Sequence, residues 1–240
     1  MVQHKIVLPL LLSFCCTFEQ KEIGWWHKKA EDMVKTQLER RGIQNKEVLR
    51  VMRETPRHLF IPKHLIDMAY EDGPLPIGEG QTISQPYIVA LMTELLRLKG
   101  EEKILEIGTG SGYQSAVLSS LAKEVYSIEI IHSLAENARK RLKEMQYDNV
   151  IVQWGDGYLG CTEQAPFDGI IVTAAPNKIP QTLIEQLKFG GRLIIPVGDK
   201  YQQLKVLTKK DDGSITEENI IPVRFVPMVR TKKSSVITNP

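Results

Sequence analysis

The stretch that decides the fold is Lys103–Ser115, which reads KILEIGTGSGYQS. A short apolar run ends at Glu106, and glycines follow at Gly108, Gly110 and Gly112 before a helix-like segment. This order predicts a β-strand, a glycine turn and the start of an α-helix, the layout of a nucleotide-binding βα unit. Glycines let a ligand come close to the backbone because they carry no Cβ. The first N–H groups of the helix would face that ligand.

The spacing of the glycines indicates the kind of nucleotide. It is GxGxG rather than GxGxxG, and an acidic residue stands two positions before the first glycine. This variant is more typical of S-adenosyl-L-methionine than of NAD. Thr109 and Ser111 lie between the glycines and are candidate contacts for the same cofactor. A glycine-rich turn without a ligand is the alternative.

Composition narrows the function classes. The 240 residues are 42% hydrophobic and 25% charged, which is typical of a globular domain with a sizeable core. The net charge of +2 (31 basic against 29 acidic residues) argues against a nucleic-acid partner, which would favour a basic surplus. The three cysteines form no disulfide framework or zinc motif, and the five histidines form no metal-binding pair, so no metal is expected.

The N-terminus, residues 1–24, is an apolar extension. Ile6–Cys16, IVLPLLLSFCC, is too short to predict a membrane span but resembles the core of a secretory signal. It lacks a small-residue cleavage site, so export and a simple extension both stay open. We expect one folded domain over residues 25–230 and a flexible polar tail over residues 231–240.

From Lys103 onward, strand and helix patterns alternate, which predicts a parallel sheet with helices on both faces, an α/β fold. The predicted strands are Ile104–Ile107, Val125–Ile130, Val150–Gln153, Phe167–Val172 and Arg192–Pro196, the last entered through a turn at Gly190-Gly191. The predicted helices are Tyr113–Leu121, Ser133–Met145 and Pro180–Leu187. Gln203–Thr208 and Ile215–Val223 are predicted to pair antiparallel.

A helical region precedes this sheet. The predicted elements are a helix over Trp25–Arg41 that stops at Gly42, a helix over Lys46–Arg53 capped by Asn45, a loop or extended piece at His58–Ile61, a short helix over Lys63–Tyr70, and a helix over Tyr87–Leu98 entered at Pro86. Between the last two lies Asp72–Gln85, DGPLPIGEGQTISQ, which is predicted to be a loop. Loops of this length are often functional, although a plain surface loop is the simpler interpretation.

Three acidic residues fall at the carboxyl ends of the first three strands, where open parallel sheets bind ligands. Glu129 can accept hydrogen bonds from both ribose hydroxyls, and Asp156, followed by Gly157, can accept from an adenine amino group. Glu106 can face the cationic methionine moiety. The alternatives are a solvated strand end for Glu129, an Asx turn for Asp156 and a structural acid that binds loop amides for Glu106.

Several segments carry a family resemblance. They are GQTISQP (Gly80–Pro86), LEIGTGSGYQ (Leu105–Gln114), FDGIIVTAA (Phe167–Ala175), LKFGGRLIIPVG (Leu187–Gly198), RHLFIP (Arg57–Pro62) and RFVPM (Arg224–Met228). Together they resemble protein-L-isoaspartate O-methyltransferase over about Met33–Met228. The resemblance implies a doubly wound, Rossmann-like S-adenosyl-L-methionine methyltransferase fold with antiparallel strands at the C-terminal end of the sheet.

The resemblance also implies the reaction, the partners and the site. A methyl group would pass from S-adenosyl-L-methionine to the free carboxylate of an L-isoaspartyl residue in a damaged protein or peptide. Ser84 would be the active-site residue that orients this carboxylate, and Thr82, Ile83 and Gln85 would lie in the same pocket. A cytoplasmic monomer with no stable membrane span is implied, and the apolar N-terminus keeps a periplasmic or exported location open. Rival interpretations are a methyltransferase for another carboxylate or a small molecule, a binding module without catalysis, and an NAD oxidoreductase.

Overall fold

The computed structural model describes residues 24–230, and its centre is a seven-stranded sheet. The strands of this sheet are β3 (Lys103–Ile107), β4 (Glu124–Glu129), β5 (Val150–Trp154), β6 (Phe167–Val172), β7 (Leu187–Val197), β8 (Gln202–Lys209) and β9 (Ile215–Val223). Their spatial order is β5-β4-β3-β6-β7-β8-β9. The first five in this order are parallel, and β8 and β9 are added antiparallel. The predicted α/β sheet and its antiparallel C-terminal end are confirmed.

The order of the strands reverses at β3, which defines where a ligand can bind. The chain moves outward from β3 to β4 and β5 and then returns to the other side of β3 with β6. Loops that leave the carboxyl ends of β3 and β6 therefore diverge and leave a crevice between them. The glycine turn follows β3 and Thr173 follows β6, so both lie at this crevice.

Helices cover both faces of the sheet. They are α1 (residues 24–33), α2 (Lys46–Glu54), α3 (Pro86–Leu96), α4 (Tyr113–Ser119), α5 (His132–Glu144) and α6 (Gln181–Glu185). On β3, Ile104 packs in a cluster with residues of α3 and α4, whereas the next residue, Leu105, packs with Leu183 of α6. Both are fully buried, as expected for a parallel strand whose alternate side chains meet helices on opposite faces.

The helical lead-in departs from its prediction in detail. The expected single helix changes after α1 into a π turn at Val34–Leu38 and a 3₁₀ turn at Glu39–Arg41, and it ends at Gly42 with φ of +94°. Asn45 caps α2 as predicted, with its side chain accepting from two backbone N–H groups of the first turn. The prediction of a loop or extended piece at His58–Ile61 is wrong, because Arg57–Phe60 forms a 3₁₀ turn. A second 3₁₀ turn, Lys63–Met68, stands where a short helix was predicted.

The loop predicted over Asp72–Gln85 is instead a small hairpin. Strands β1 (Leu75–Gly78) and β2 (Gln81–Ile83) pair antiparallel. The segment was predicted to be a loop because it is rich in glycine. In the structure, Gly78 and Gly80 supply the positive φ angles of the tight turn between the two strands, +93° and +69°. The second hairpin strand ends at Ile83, and Ser84 and Gln85 connect it to Pro86, which opens α3. Ser84 therefore lies between two ordered elements.

Two predictions around β7 are corrected. Gly190-Gly191 is not a turn before the strand, because β7 begins at Leu187 and runs through both glycines with an irregular register against β6. Consequently α6 is shorter than the predicted Pro180–Leu187 helix. Within residues 24–230, no helix is long and apolar enough to cross a membrane. The predictions for the N-terminal extension and the C-terminal tail fall outside the described residues.

Candidate active site

The glycine turn after β3 is locked against the end of β6. Gly108 has φ of +97°, and a Cβ at this position would lie 2.4 Å from the Thr173 hydroxyl oxygen. That hydroxyl lies 2.6 Å from the Gly108 carbonyl oxygen, to which it donates a hydrogen bond. Glycine is therefore required twice here, once by the backbone angle and once by the close approach of Thr173.

Glu129, at the end of β4, fastens the same turn from the other side. One carboxylate oxygen accepts from the Gly110 backbone N–H at 2.8 Å, and the other accepts from the Ile131 N–H at 2.9 Å. The side chain is buried, yet it lines a cavity beside the turn. Each carboxylate oxygen has a second lone pair, so Glu129 can still accept hydrogen bonds from two hydroxyl groups of a ligand.

The first cavity lies at the crevice between β3 and β6 and holds about 200 Å³. It is lined by ends of several elements that are distant in sequence. Predicted site residues on its wall are Thr82, Ile83, Ser84, Gly108, Thr109, Gly110, Ser111, Glu129 and Gly157. Most of the residues that the sequence assigned to the cofactor therefore line one cavity. The same cavity is lined by Thr82, Ile83 and Ser84, which were assigned to the substrate pocket.

Gly157 lines this cavity, whereas its neighbour Asp156 does not. A Cβ on Gly157 would lie 2.3 Å from a methyl group of Ile107, so the loop after β5 can approach β3 only with glycine. The Asp156 carboxylate accepts from the Tyr158 N–H at 2.9 Å and caps a short 3₁₀ turn. This is the Asx turn that the sequence left as an alternative, and the contact of Asp156 with adenine stays a prediction.

Glu106 lies behind the turn and not on the cavity wall. Its side chain is fully buried, and one carboxylate oxygen accepts from the hydroxyls of Ser115 and, at 2.6 Å, Ser127. Within the described part of the chain, the other oxygen has no hydrogen-bond partner. Burial raises the pKa of this carboxyl to about 7. The structure places this acid among hydroxyl groups beneath α4, and the contact of Glu106 with the methionine moiety stays a prediction. Gly112 also lies off the wall, packed against Leu142 at the start of α4.

A second cavity, of about 450 Å³, adjoins the first. The hairpin and the start of α3 form one side of it, and the segment that follows β9 forms the other. Its described lining residues are Pro74, Thr82, Ser84, Gln85, Ile88, Thr173, Pro222, Val223, Arg224, Phe225 and Val226. Thr82, Ser84, Thr173 and Val226 line both cavities, so these four residues form the wall where the two cavities meet.

Gln85 lines only the second cavity, and its amide nitrogen is held 2.7 Å from the Asp72 carboxylate. Ile83 lines only the first cavity. The predicted substrate segment is therefore shared between the two cavities, and Thr82 and Ser84 lie where the cavities meet. Among the described residues, no group of three or more His, Cys, Asp and Glu side chains is placed to hold a metal ion.

This arrangement agrees with the comparisons to known proteins. The family model described as protein-L-isoaspartate(D-aspartate) O-methyltransferase matches residues 28–233. The chain belongs to this family. A relative from Shewanella sediminis, named protein-L-isoaspartate O-methyltransferase 2, is 56% identical over 200 residues, which are 82% of each chain. A relative from Dictyoglomus turgidum, named protein-L-isoaspartate O-methyltransferase, is 56% identical over 80% of this chain and 87% of its own.

Solved structures show the same fold. A structure described as protein-L-isoaspartate O-methyltransferase superposes with a TM-score of 0.76 at 31% identity, over 82% of this chain and 65% of that chain. A structure from Plasmodium falciparum, described as a protein-L-isoaspartate O-methyltransferase in complex with S-adenosyl-L-homocysteine, has a TM-score of 0.74 at 26% identity, over 84% of this chain and 98% of its own. The fold class and the resemblance found in the sequence are confirmed.

Sequence reasoning missed several residues of the two walls. Thr173 was recognisable, because it follows a parallel strand at the crevice, as Glu129 does. Tyr113, Gln114 and Val226 carry no such signal. Their side chains reach the cavities only through the packing of α4 and through the return of the chain after β9, which neither motif spacing nor composition reveals.

Proposed function

We propose that this protein transfers a methyl group from S-adenosyl-L-methionine to the free carboxylate of L-isoaspartyl residues in proteins and peptides. Family membership supports the reaction. The observation that carries the proposal is the shared wall: Ser84 and Thr82 border both cavities. A methyl donor in the first cavity and an acceptor in the second would meet at this wall.

The first cavity suits the donor. Glu129 would accept the ribose hydroxyls, while the backbone of Gly108–Gly112 and the Gly157 loop would follow the rest of the nucleoside and the amino-acid moiety. When bound, S-adenosyl-L-methionine supplies an electrophilic methyl group on a sulfonium. At Gly108 and Gly157 a Cβ would lie 2.4 and 2.3 Å from the Thr173 and Ile107 side chains, so only glycine lets these two segments take their places on the cavity wall.

The chemistry needs no general base, and the site offers none. A carboxylate is already ionised at neutral pH. Among the described residues that line the two cavities there is no histidine, and the one acid, Glu129, already accepts two backbone N–H groups. An oxygen of the acceptor carboxylate forms a bond to the methyl carbon as the carbon–sulfur bond breaks. The bonding electrons stay on sulfur, which leaves a methyl ester and S-adenosyl-L-homocysteine.

Positioning is therefore what the protein contributes. Holding oxygen, carbon and sulfur in line can lower a barrier by about 7–11 kcal/mol. The Ser84 hydroxyl, on the shared wall, would donate a hydrogen bond to the acceptor carboxylate and replace part of its water shell. We do not assign Ser84 as a covalent nucleophile, because no base lines either cavity among the described residues.

The second cavity suits an extended peptide. Its two sides are the hairpin with Gln85 and the chain from Pro222 to Val226. Damaged sites occur in many sequence contexts, so contacts to the peptide backbone are the natural means of binding them. Exposed Arg224 on this wall would favour acidic groups near the isoaspartyl residue.

We further propose that one domain, residues 25–230, performs this function as a monomer in the cytoplasm. The apolar segment Ile6–Cys16 keeps export as the alternative. N-terminal sequencing of the protein from its native cells distinguishes the two. An intact N-terminus in the cytosolic fraction supports our assignment, and a new N-terminus in the periplasm or medium contradicts it.

Two peptides that differ only in one linkage test the reaction. Labelled methyl groups from S-adenosyl-L-methionine should be transferred to a peptide with an L-isoaspartyl residue and not to its twin with normal aspartate. Transfer to both peptides would indicate a general carboxylate methyltransferase. Transfer to neither, with S-adenosyl-L-homocysteine still bound, would favour a methyltransferase for another acceptor.

A further inference from the structure

Arg57 is a buried cation to which none of the described carboxylates is paired. It begins the 3₁₀ turn Arg57–Phe60, and its side chain is fully buried. Within the described part of the chain, no Asp or Glu forms an ion pair with it. Burial of an unpaired charge is costly, and stability alone rarely favours it. A buried, unpaired arginine is therefore a candidate for a functional role in addition to a structural one.

The guanidinium instead holds two backbone carbonyls. Its Nε donates to the Ala69 carbonyl at 2.8 Å, and one terminal nitrogen donates to the Ser84 carbonyl, also at 2.8 Å. Among residues 24–230, the other terminal nitrogen finds no hydrogen-bond acceptor. A planar guanidinium directs these donors rigidly, unlike the single ammonium of lysine. The backbone of Ser84, on the shared wall, is thus fastened directly to a fixed positive group.

The same guanidinium packs on a residue of the first cavity wall. Its central carbon lies 4.8 Å from the centre of the Tyr113 ring, and Tyr113 lines that cavity. The Phe60 ring contacts Tyr113 edge to face at 5.5 Å and lies 6.0 Å from the Arg141 guanidinium carbon. Arg141 in turn donates to the Ser111 carbonyl at 2.8 Å. Arg57 therefore holds the backbone at Ser84, and Arg141 holds the glycine turn at Ser111.

We propose that Arg57 is a positioning residue that acts through the Ser84 carbonyl and sets the place of the Ser84 hydroxyl relative to the acceptor carboxylate. This inference rests on the proposed role of Ser84. The inference differs from a purely structural role for Arg57 in one respect: a change at Arg57 should affect turnover only through Ser84. Arg141 has the corresponding effect on the glycine turn, and hence on affinity for the donor.

A double-mutant cycle of Arg57→Lys and Ser84→Ala tests the inference with an isoaspartyl peptide as acceptor. Arg57→Lys keeps the charge but cannot hold both carbonyls, so kcat should fall about tenfold or more. Affinity for S-adenosyl-L-homocysteine, measured by calorimetry, should stay within about threefold. In the Ser84→Ala background the same change should lower kcat by less than about threefold, since coupled residues are not additive.

Controls separate positioning from loss of stability. Leu183→Ala truncates a buried side chain that lines neither cavity and should lower Tm by at least as much as Arg57→Lys, with kcat unchanged at temperatures well below Tm. Arg141→Lys should weaken S-adenosyl-L-homocysteine binding, because it removes a donor to the Ser111 carbonyl on the glycine turn. Should Arg57→Lys fail to fold, Arg57→Met fills the space without a buried charge and enters the same cycle.

The outcomes are distinct. A loss of kcat that is equally large in both backgrounds would overturn the inference and leave the role of Ser84 intact. A normal kcat for Arg57→Lys or Arg57→Met would also overturn it. If Ser84→Ala alone has normal kcat, both the role of Ser84 and the inference fail. Absence of isoaspartyl methylation in the unmodified protein would contradict the proposed function itself.

Discussion

The glycine turn, Gly108–Gly112, and the serine loop, Thr82–Gln85, face the same boundary but are held in different ways. The turn is fastened by side chains from the ends of the two strands that flank β3: Glu129 ends β4, and Thr173 directly follows β6. The serine loop is fastened at Ser84 by Arg57, which comes from a short 3₁₀ turn outside the main sheet. On the proposed function, donor binding would therefore depend on the sheet, whereas acceptor binding would depend on the helical lead-in, its hairpin and the chain from Pro222 to Val226.

Gly108→Ala should have the largest effect on the turn. The added methyl group would meet the Thr173 hydroxyl, and the φ of +97° is strained for alanine. We expect calorimetry to show that affinity for S-adenosyl-L-homocysteine falls about a hundredfold or more, equivalent to roughly 3 kcal/mol. Gly190→Ala is the matched control, because Gly190 has a φ of +79° but no atom within 4 Å of the added Cβ. Equal binding by both variants would show that the turn is not the donor site.

Glu129→Gln should weaken donor binding by a smaller factor. The change removes the negative charge and puts an amide NH₂ group opposite backbone N–H groups that now find a carboxylate. Charge-assisted hydrogen bonds contribute about 1.5–3 kcal/mol, so we expect the affinity for S-adenosyl-L-homocysteine to fall roughly tenfold to a hundredfold. Glu124→Gln, at the opposite end of β4, is the control and should bind normally. Normal binding by the Glu129 variant would remove this carboxylate from the ribose site.

Glu106→Gln should change how the stability of the protein depends on pH. It should not alter how the glycine turn and the serine loop are held. Burial raises the pKa of Glu106 from 4.5 to about 7. The folded state therefore binds the proton more tightly than the unfolded state, and stability due to this group is lost as pH rises from about 4.5 through about 7. The Tm of the natural protein should thus fall relative to that of the variant between pH 5 and pH 8, by roughly a few degrees. A constant difference in Tm over this range would contradict the buried, protonatable carboxyl.

The two regions also differ in how far sequence predicts them. The turn could be recognised because its glycines and the acid of the next strand follow local rules of parallel sheets, and the structure places Glu129 where those rules expect it. The serine loop was found only through family resemblance, and its hairpin was predicted to be a plain loop because glycine and proline are abundant in Asp72–Gln85. Arg57 was not recognised as a site residue, because its partners Ala69 and Ser84 are 12 and 27 positions away.

Glu106 also shows that sequence pattern does not reveal tertiary packing. Motif spacing placed an acid next to the turn, but a strand alternates its side chains between two faces. The packing of α4 against the sheet brings Ser115 to Glu106, and the register of β4 against β3 brings Ser127 to it. Patterns of sequence therefore locate the edge of the sheet where ligands bind, and tertiary packing decides which of its side chains face the ligand.

The most direct test of this division is one pair of measurements on Ser84→Ala, with the exposed Ser120→Ala as control. Calorimetry would give the affinity for S-adenosyl-L-homocysteine, and labelled methyl transfer to an isoaspartyl peptide would give kcat. We predict affinity within about threefold of the natural protein and a kcat lowered about tenfold or more, the loss expected for one hydrogen bond to a charged group. A variant with unchanged kcat, or one that loses donor affinity and turnover together, would contradict the separation of the two regions.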